Sequence, residues 1–266
     1  MESPRLDAEL LLAGVLGLKR LDLYLQFDRP LQPEELDRMR ERLRRRGARE
    51  PLQYIEGRAA FRDLDLVVDR CVLIPRPETE QLVEEVLRRL RPMERPEVLD
   101  IGTGSGAIAL SLAAEGACAR VVATDVSAEA LAVAQRNLEQ VAPPAPVELR
   151  EGAGYAPVAG ERFDAIVSNP PYVAPEEREG LEPEVVRWEP GGALFAGGKG
   201  LDIISELIDG AEAHLRPSGF LALEIGEGQG NAVREMAETA GIFETVRILP
   251  DLAGRDRMLI AETTTG

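Results

Sequence analysis

The chain has 266 residues, 44% of them hydrophobic, and a formal net charge of −16. That length supports one large or two small domains with a sizeable core, and the acidic balance disfavours duplex nucleic acid, whose phosphates require a basic face. Two cysteines, Cys71 and Cys118, exclude a disulfide framework or zinc cluster; the single histidine, His214, leaves no Ser-His-Asp triad to expect; and no run of about 18 apolar residues is present to span a membrane.

Met1-Glu2-Ser3-Pro4-Arg5 has no basic stretch leading into an apolar core, so no signal peptide and a cytoplasmic location are expected. Ser3-Pro4 predicts a helix start, a capping hydroxyl followed by proline at the first helical position. Leu6, Leu10, Ala13 and Leu16 follow at helical spacing until Gly17. A short helix is expected over Leu21–Gln26. Pro33-Glu34-Glu35 opens a third helix that closes on Arg44-Arg45-Arg46, complementing the helix dipole. The segment to Glu50 carries 11 Lys+Arg against 10 Asp+Glu, so the remainder carries 20 against 37. The Arg-rich stretch Arg38–Arg49 is either a partner surface or a solvated helix face.

Arg58–Phe61 and Leu64–Val68 predict a hairpin around Arg62-Asp63. Pro75-Arg76-Pro77-Glu78-Thr79-Glu80 reads as a linker or rigid loop before a helix over Glu78–Arg91, with Leu82, Val83, Val86, Leu87 and Leu90 inward. From Val98 strands and helices alternate. Strands are expected at 98–101, 120–124, 147–150, 163–168, 220–225, 243–249 and 257–262, and helices at 107–115, 127–140, 201–215 and 231–240. This predicts an α/β fold, a mostly parallel doubly wound sheet of seven strands. The last two strands are joined only by Pro250–Asp256, too short for a crossover, so they should pair antiparallel. The division expected is a helical domain over 1–50, a β-hairpin linker over 51–75 and the α/β domain over 76–266. His214 is expected near a helix end.

Two stretches carry the chemistry. Val98-Leu99-Asp100-Ile101 runs into Gly102-Thr103-Gly104-Ser105-Gly106, a strand, a glycine-rich turn and a helix, which lets a ligand approach the main chain. Asp125 ends the next strand, where a carboxylate can accept from both hydroxyls of a ribose. NAD, a nucleoside such as S-adenosylmethionine, and a turn with no ligand all satisfy these residues. Phe163–Ser168 then reads as a buried strand that Asn169-Pro170-Pro171-Tyr172 stops. Hydride transfer needs a proton donor for the substrate oxygen, and none is placed here. An Asn beside a rigid turn with a free proline carbonyl suits a different task, presenting a planar nitrogen to an electrophilic methyl group. Asn169–Gly200 has little periodicity, but Val185–Pro190 supplies aromatic and aliphatic anchors, so an ordered lid or substrate-binding segment is expected.

The glycine turn, Asp125 and Asn169-Pro170-Pro171-Tyr172 resemble the class I S-adenosylmethionine-dependent methyltransferases acting on planar nitrogens. Arg5–Leu12, Glu50–Ile55, Ile74–Glu80 and Arg187-Trp188-Glu189-Pro190 resemble the bacterial peptide chain release factor glutamine methyltransferase family, across essentially the whole chain. The resemblance implies a Rossmann-like sheet with an antiparallel last strand, joined by a hairpin to an N-terminal helical domain. It implies S-adenosyl-L-methionine held by Gly102, Thr103, Gly104, Ser105, Gly106, Asp125 and Asn169. The substrate it implies is the glutamine of the Gly-Gly-Gln loop in class I release factors. The amide hydrogens of that glutamine would be accepted by Asn169 and the Pro170 carbonyl, with Pro171 and Tyr172 completing the pocket. A monomer with no metal, no direct nucleic-acid contact and no membrane partner is expected, with the N-terminal helices docking the release factor. Gly152-Ala153-Gly154-Tyr155 departs from the family pattern, which places an acid there near the adenine. The rival readings are an N-methyltransferase acting on adenine or guanine in nucleic acid and a non-catalytic cofactor-binding module.

Overall fold

Strand residues alternate between two apolar layers, and that alternation builds the molecule. Val98, Val121, Ala123, Ala165, Val167 and Ala222 face one layer, while Leu99, Val122, Ile166, Leu221 and Leu223 face the other. The computed structural model describes residues 3–264; Met1-Glu2, on which the signal-peptide expectation partly rests, and Thr265-Gly266 lie outside the described residues. The sheet strands are β3 (Glu97–Ile101), β4 (Arg120–Asp125), β5 (Val147–Glu151), β6 (Phe163–Ser168), β7 (Leu215–Glu224), β8 (Phe243–Pro250) and β9 (Asp256–Thr263). They form a seven-stranded sheet in the order β5-β4-β3-β6-β7-β9-β8. All pairs are parallel except those made by β9, which inserts antiparallel between β7 and β8 as its short connection requires.

Helices cover both faces. The first layer takes α5 (Pro77–Leu90) and α6 (Ala107–Glu115); the second takes α10 (Asp202–His214) and α11 (Gly230–Thr239). Ahead of them run α1 (Pro4–Leu16), α2 (Asp22–Leu25), α3 (Pro33–Gly47) and α4 (Leu52–Glu56), then the hairpin β1 (Arg58–Phe61) and β2 (Leu64–Val67). The remaining helices are α7 (Ala128–Val141), α8 (Pro183–Trp188) and the short turn α9 (Gly197–Gly200). A third apolar cluster joins Tyr54, Ala59, Val68, Val72 and Ile74 to Ala130 and Val133 of α7, so the hairpin segment is packed onto the sheet domain.

Several expectations need correction. Ser3 makes no capping bond through its side chain; α1 is started by Pro4 alone. Segment 51–75 contains α4, which five residues without periodicity do not reveal. The helix expected over Glu78–Arg91 spans Pro77–Leu90 as α5, starting one residue earlier because proline at the first helical position needs no N–H partner. β7 starts at Leu215, directly after α10, and regains register after a break between Leu215 and Phe220. The arginines of α3 do not form a free basic face. Arg45 chelates Glu50 through two 2.8 Å bonds, Arg42 reaches Glu56 at 2.6 Å, and Arg46 binds Asp7 at 2.7 Å. Arg46 and Arg49 also clasp Glu184 of α8, at 3.1 and 2.6 Å.

The register of the central strands sets the site. Ile101 of β3 pairs with Thr124 of β4 and with Ser168 of β6, and Ser168 pairs with Leu223 of β7. The buried Ser168 hydroxyl donates to the Ile101 carbonyl at 2.6 Å and ties β6 to β3 where both end. We expect Ser168→Ala to lower stability by about 1 kcal/mol, read as a lower urea midpoint; an unchanged midpoint would show that the bond does not secure the strand ends.

Candidate active site

One residue beyond the Ile101 row, the chain places Asp125, Gly102, Asn169 and Glu224 side by side across β4, β3, β6 and β7. This is the carboxyl edge of the sheet, at the point where strand order reverses about β3, and ligands of open α/β sheets bind there. A cavity of about 500 Å³ opens on it. Its wall includes Gly102, Thr103, Gly104, Ser105, Asp125, Ala153, Asn169, Pro170 and Pro171. A second cavity of about 50 Å³ adjoins, lined by Leu73, Arg76, Asn169, Pro170, Tyr172, Val173, Ala193 and Leu194. Leu73, Arg76, Asn169, Pro170 and Ala193 are common to both walls.

The glycine turn is bound to β4 by its main chain. Gly102 and Thr103 donate N–H bonds to the Thr124 carbonyl at 2.8 and 2.9 Å. The Asp125 carboxylate accepts from Gly104 N–H at 2.8 Å and from Ser127 N–H at 2.9 Å, which leaves further lone pairs on both oxygens. Gly102 and Gly104 have φ of +73 and +56, and a Cβ at either would meet no protein atom within 4 Å. Side chains there would project into free space beside the main chain. Gly106 stands apart from the expected set. It is not in either cavity wall; its φ of +83 is a left-handed conformation that favours glycine, and a Cβ there would meet Leu110 of α6 at 3.1 Å.

Asn169 is held by residues distant in sequence. Its Nδ2 donates to Thr79 Oγ1 at 3.0 Å, and the Thr79 hydroxyl donates to Glu224 Oε2 at 2.6 Å. Tyr172 donates its hydroxyl to Glu224 Oε1 at 3.1 Å. The Asn169 Oδ1 has no protein partner among the described residues. Glu224 is 1% exposed, and burial raises its carboxyl above the ordinary carboxylate range. Burial, then the Glu224 charge, raises the Tyr172 phenol as well, so it stays protonated. Thr79 and Glu224 were not among the residues the sequence singled out. The available signals were a lone carboxylate closing the apolar run Phe220–Ile225 and a hydroxyl inside Pro75–Glu80.

The segment after Tyr172, expected to be a lid or a substrate-binding segment, is ordered. Val173 and Ala196 exchange main-chain bonds with Leu194 and Val173 at 3.0 Å each. Buried Glu189 accepts from Ile74 N–H at 3.1 Å and from Arg76 at 2.5 Å, tying the lid to the loop before α5. Gln229 holds the Tyr172 carbonyl at 3.0 Å. Gly200, with φ +82, passes so close that a Cβ would sit 2.0 Å from that carbonyl. Beyond β5, Gly152, Ala153, Gly154 and Tyr155 reach the larger cavity with no carboxylate; among the described residues, Asp125 and Glu206 are the acids of that wall. His214 lies outside the site, stacked on Tyr155 with ring centroids 4.4 Å apart.

Profiles described as PrmC N-terminal domain and methyltransferase small domain match residues 1–57 and 79–187. A release factor glutamine methyltransferase of Moorella thermoacetica is 47% identical over 261 residues, 98% of this chain and 92% of that protein. One from Geobacter sulfurreducens is 47% identical over 244 residues, 92% of this chain and 84% of that protein. Among solved structures, a methyltransferase from Pyrococcus furiosus superposes with a TM-score of 0.58 at 24% identity, over 77% of this chain and 91% of that chain. The T. thermophilus 16S rRNA N2 G1207 methyltransferase, in complex with AdoMet and guanosine, gives a TM-score of 0.54 at 24% identity, over 77% and 49%. At such identities the structural likeness is one of fold.

Behind the glycine turn, Asp100 is fully buried, accepts from Thr103 Oγ1 at 2.6 Å and Ala109 N–H at 3.2 Å, and leaves Oδ1 without a partner. Burial pushes its carboxyl up to about 7. The unfolded chain ionises this group near pH 4, so its contribution to stability is greatest below about pH 4 and declines as pH rises to about 7. Asp100→Asn keeps an acceptor for Thr103 and carries no charge. We expect its melting temperature to gain on the parent between about pH 4 and 7 and the gap to hold above that. A gap that is the same at both ends of this range would contradict the assignment.

Proposed function

The chain belongs to the family of release factor glutamine methyltransferases, and we propose that it methylates the side-chain amide nitrogen of the glutamine in the Gly-Gly-Gln motif of class I peptide chain release factors. One observation carries the reading: Asn169, on the wall shared by the two cavities, has its amide nitrogen engaged by Thr79 and its oxygen without a protein partner among the described residues. S-adenosylmethionine, when bound, supplies a sulfonium methyl that is strongly electrophilic. The larger cavity suits it. Main-chain atoms at Gly102 and Gly104 border free space, and Asp125 offers acceptor lone pairs for ribose hydroxyls at the end of β4.

An amide nitrogen is a poor nucleophile because its lone pair is delocalised into the carbonyl. The protein's work is therefore orientation. Asn169 Oδ1 and the Pro170 carbonyl accept the two hydrogens of the substrate amide and favour the nitrogen that develops positive charge. Positioning of this kind lowers a barrier by about 7–11 kcal/mol. Leu73, Val173 and Leu194 give the smaller cavity its apolar wall. The nitrogen sheds its proton to solvent after transfer; His214 is packed on Tyr155 and takes no part. The reading places the enzyme in the cytoplasm, and the net charge of −16 is in keeping with a protein rather than a nucleic-acid substrate.

Docking of the release factor is assigned to the N-terminal helices. Their arginines are largely engaged within the chain, so apolar contact is the stronger feature. Leu21, Tyr24, Leu25 and Phe27 are 74%, 50%, 82% and 86% exposed, in and beside α2.

Labelled S-adenosylmethionine tests the reaction. We expect label on an unmodified release factor, none on the same factor with its motif glutamine replaced by alanine, and none on a DNA duplex; label on the duplex alone would overturn the assignment. Asn169→Ala is expected to lower kcat by about 10²–10³, and a loss below about threefold would remove it from the mechanism. Phe27→Asp is expected to raise KM for the release factor with cofactor affinity unchanged. An unmoved KM would shift the docking surface elsewhere.

A further inference from the structure

We propose that Thr79 and Glu224 are positioning residues that fix which end of the Asn169 amide faces the substrate, and that Glu224 does so only while ionised. The inference rests on the glutamine methyltransferase reading and deepens it. Glu224 lines neither cavity, and Thr79 reaches only the wall of the larger one.

Proton counting carries the argument. An ionised carboxylate only accepts hydrogen bonds, and a hydroxyl has one proton to give. Glu224 Oε2, 2.6 Å from Thr79 Oγ1, therefore takes the Thr79 proton. The Thr79 oxygen is left as an acceptor, and Asn169 must turn its NH2 toward it, at 3.0 Å. The Asn169 oxygen is then the group facing the ligand, as acceptance of an amide hydrogen requires. Glu224 Oε1 takes the Tyr172 proton at 3.1 Å, so the same carboxylate orients two residues of the Asn169–Tyr172 turn.

Add a proton from solvent to Glu224 and the direction of the chain can reverse. The carboxylic acid donates to Thr79 Oγ1, the Thr79 proton turns to Asn169, and the Asn169 amide flips to offer its oxygen to Thr79. Its NH2 then meets the NH2 of the substrate, donor against donor. The charged groups facing Glu224 act in opposite senses. Arg257 of β9 favours ionisation, Glu78 of α5 opposes it, and the hydroxyls of Thr79 and Tyr172 support the charged form. Burial outweighs these and raises the carboxyl, which brings its titration closer to working pH. Activity should accordingly fall on the acid side at a pH above that of an ordinary carboxylate, and recover as pH rises.

The test uses the full chain with a release factor at saturating cofactor. Thr79→Val is expected to lower kcat by about 10- to 100-fold, with calorimetric affinity for S-adenosylmethionine within about twofold of the parent. Thr79→Ser, which restores the hydroxyl, should recover most of the loss. Glu224→Gln cannot titrate, and its pH profile should lose the acid limb. Thr79→Val within about threefold of the parent, or an acid limb unmoved in Glu224→Gln, would overturn the proposal. Should Thr79→Val fail to bind cofactor, the Glu224→Gln profile decides. If the parent itself leaves the release factor unlabelled, it is the glutamine reading that fails and not the relay.

Discussion

The pairing of β3 with β6 is the constraint on which the rest depends. It places Ile101 opposite Ser168 in the middle of a sheet buried on both faces. A parallel strand buried on both faces cannot slip by one residue without reversing every side chain between layers. With Thr124 on one side and Leu223 on the other, that register aligns Asp125, Gly102, Asn169 and Glu224 along one edge. No functional loop has to find these positions. The glycine turn and the Asn169 turn begin where the ladder stops, and the core holds them a strand spacing apart.

Much of this was legible in the sequence, for a physical reason. Period-two alternation and apolar runs reveal strands whose burial depends on those residues, so all seven strands follow from local pattern, and the antiparallel pairing of the last two follows from their short connection. The glycine turn and Asn169-Pro170-Pro171-Tyr172 are contiguous, and contiguity is what a sequence displays. The partners of Asn169 are not contiguous: Thr79 lies 90 residues away, and Thr79 meets Glu224 across 145. Both are single polar residues in otherwise unremarkable elements. The fate of the α3 arginines was hidden for the same reason, because a run of like charges does not disclose that Asp7, Glu50, Glu56 and Glu184 are waiting on other elements.

The site also concentrates charge where burial penalises it. Asp100 and Glu224 are each nearly sealed from water at the ends of β3 and β7. Hydrogen bonds from Thr103 and Ala109, and from Thr79 and Tyr172, offset part of the desolvation. Groups of this kind lower stability at neutral pH and are tolerated where they organise something else. Here one lies under the glycine turn and the other under the Asn169 turn. The lid is secured by similar means, with Glu189 on the loop before α5 and Glu184 between two arginines of the N-terminal segment.

Gly200 bears on how such a lid can diverge. The obstacle to a side chain there is the Tyr172 carbonyl, main chain that Gln229 already holds, so no neighbouring rotamer can make room. Chemistry does not enter; a methyl group is as unacceptable as a charge. The exposed stretch Pro175–Gly180 presents no comparable barrier. Descendants of this chain are free to rewrite the crown of the lid, while the point at which it rejoins the body admits a single letter of the alphabet.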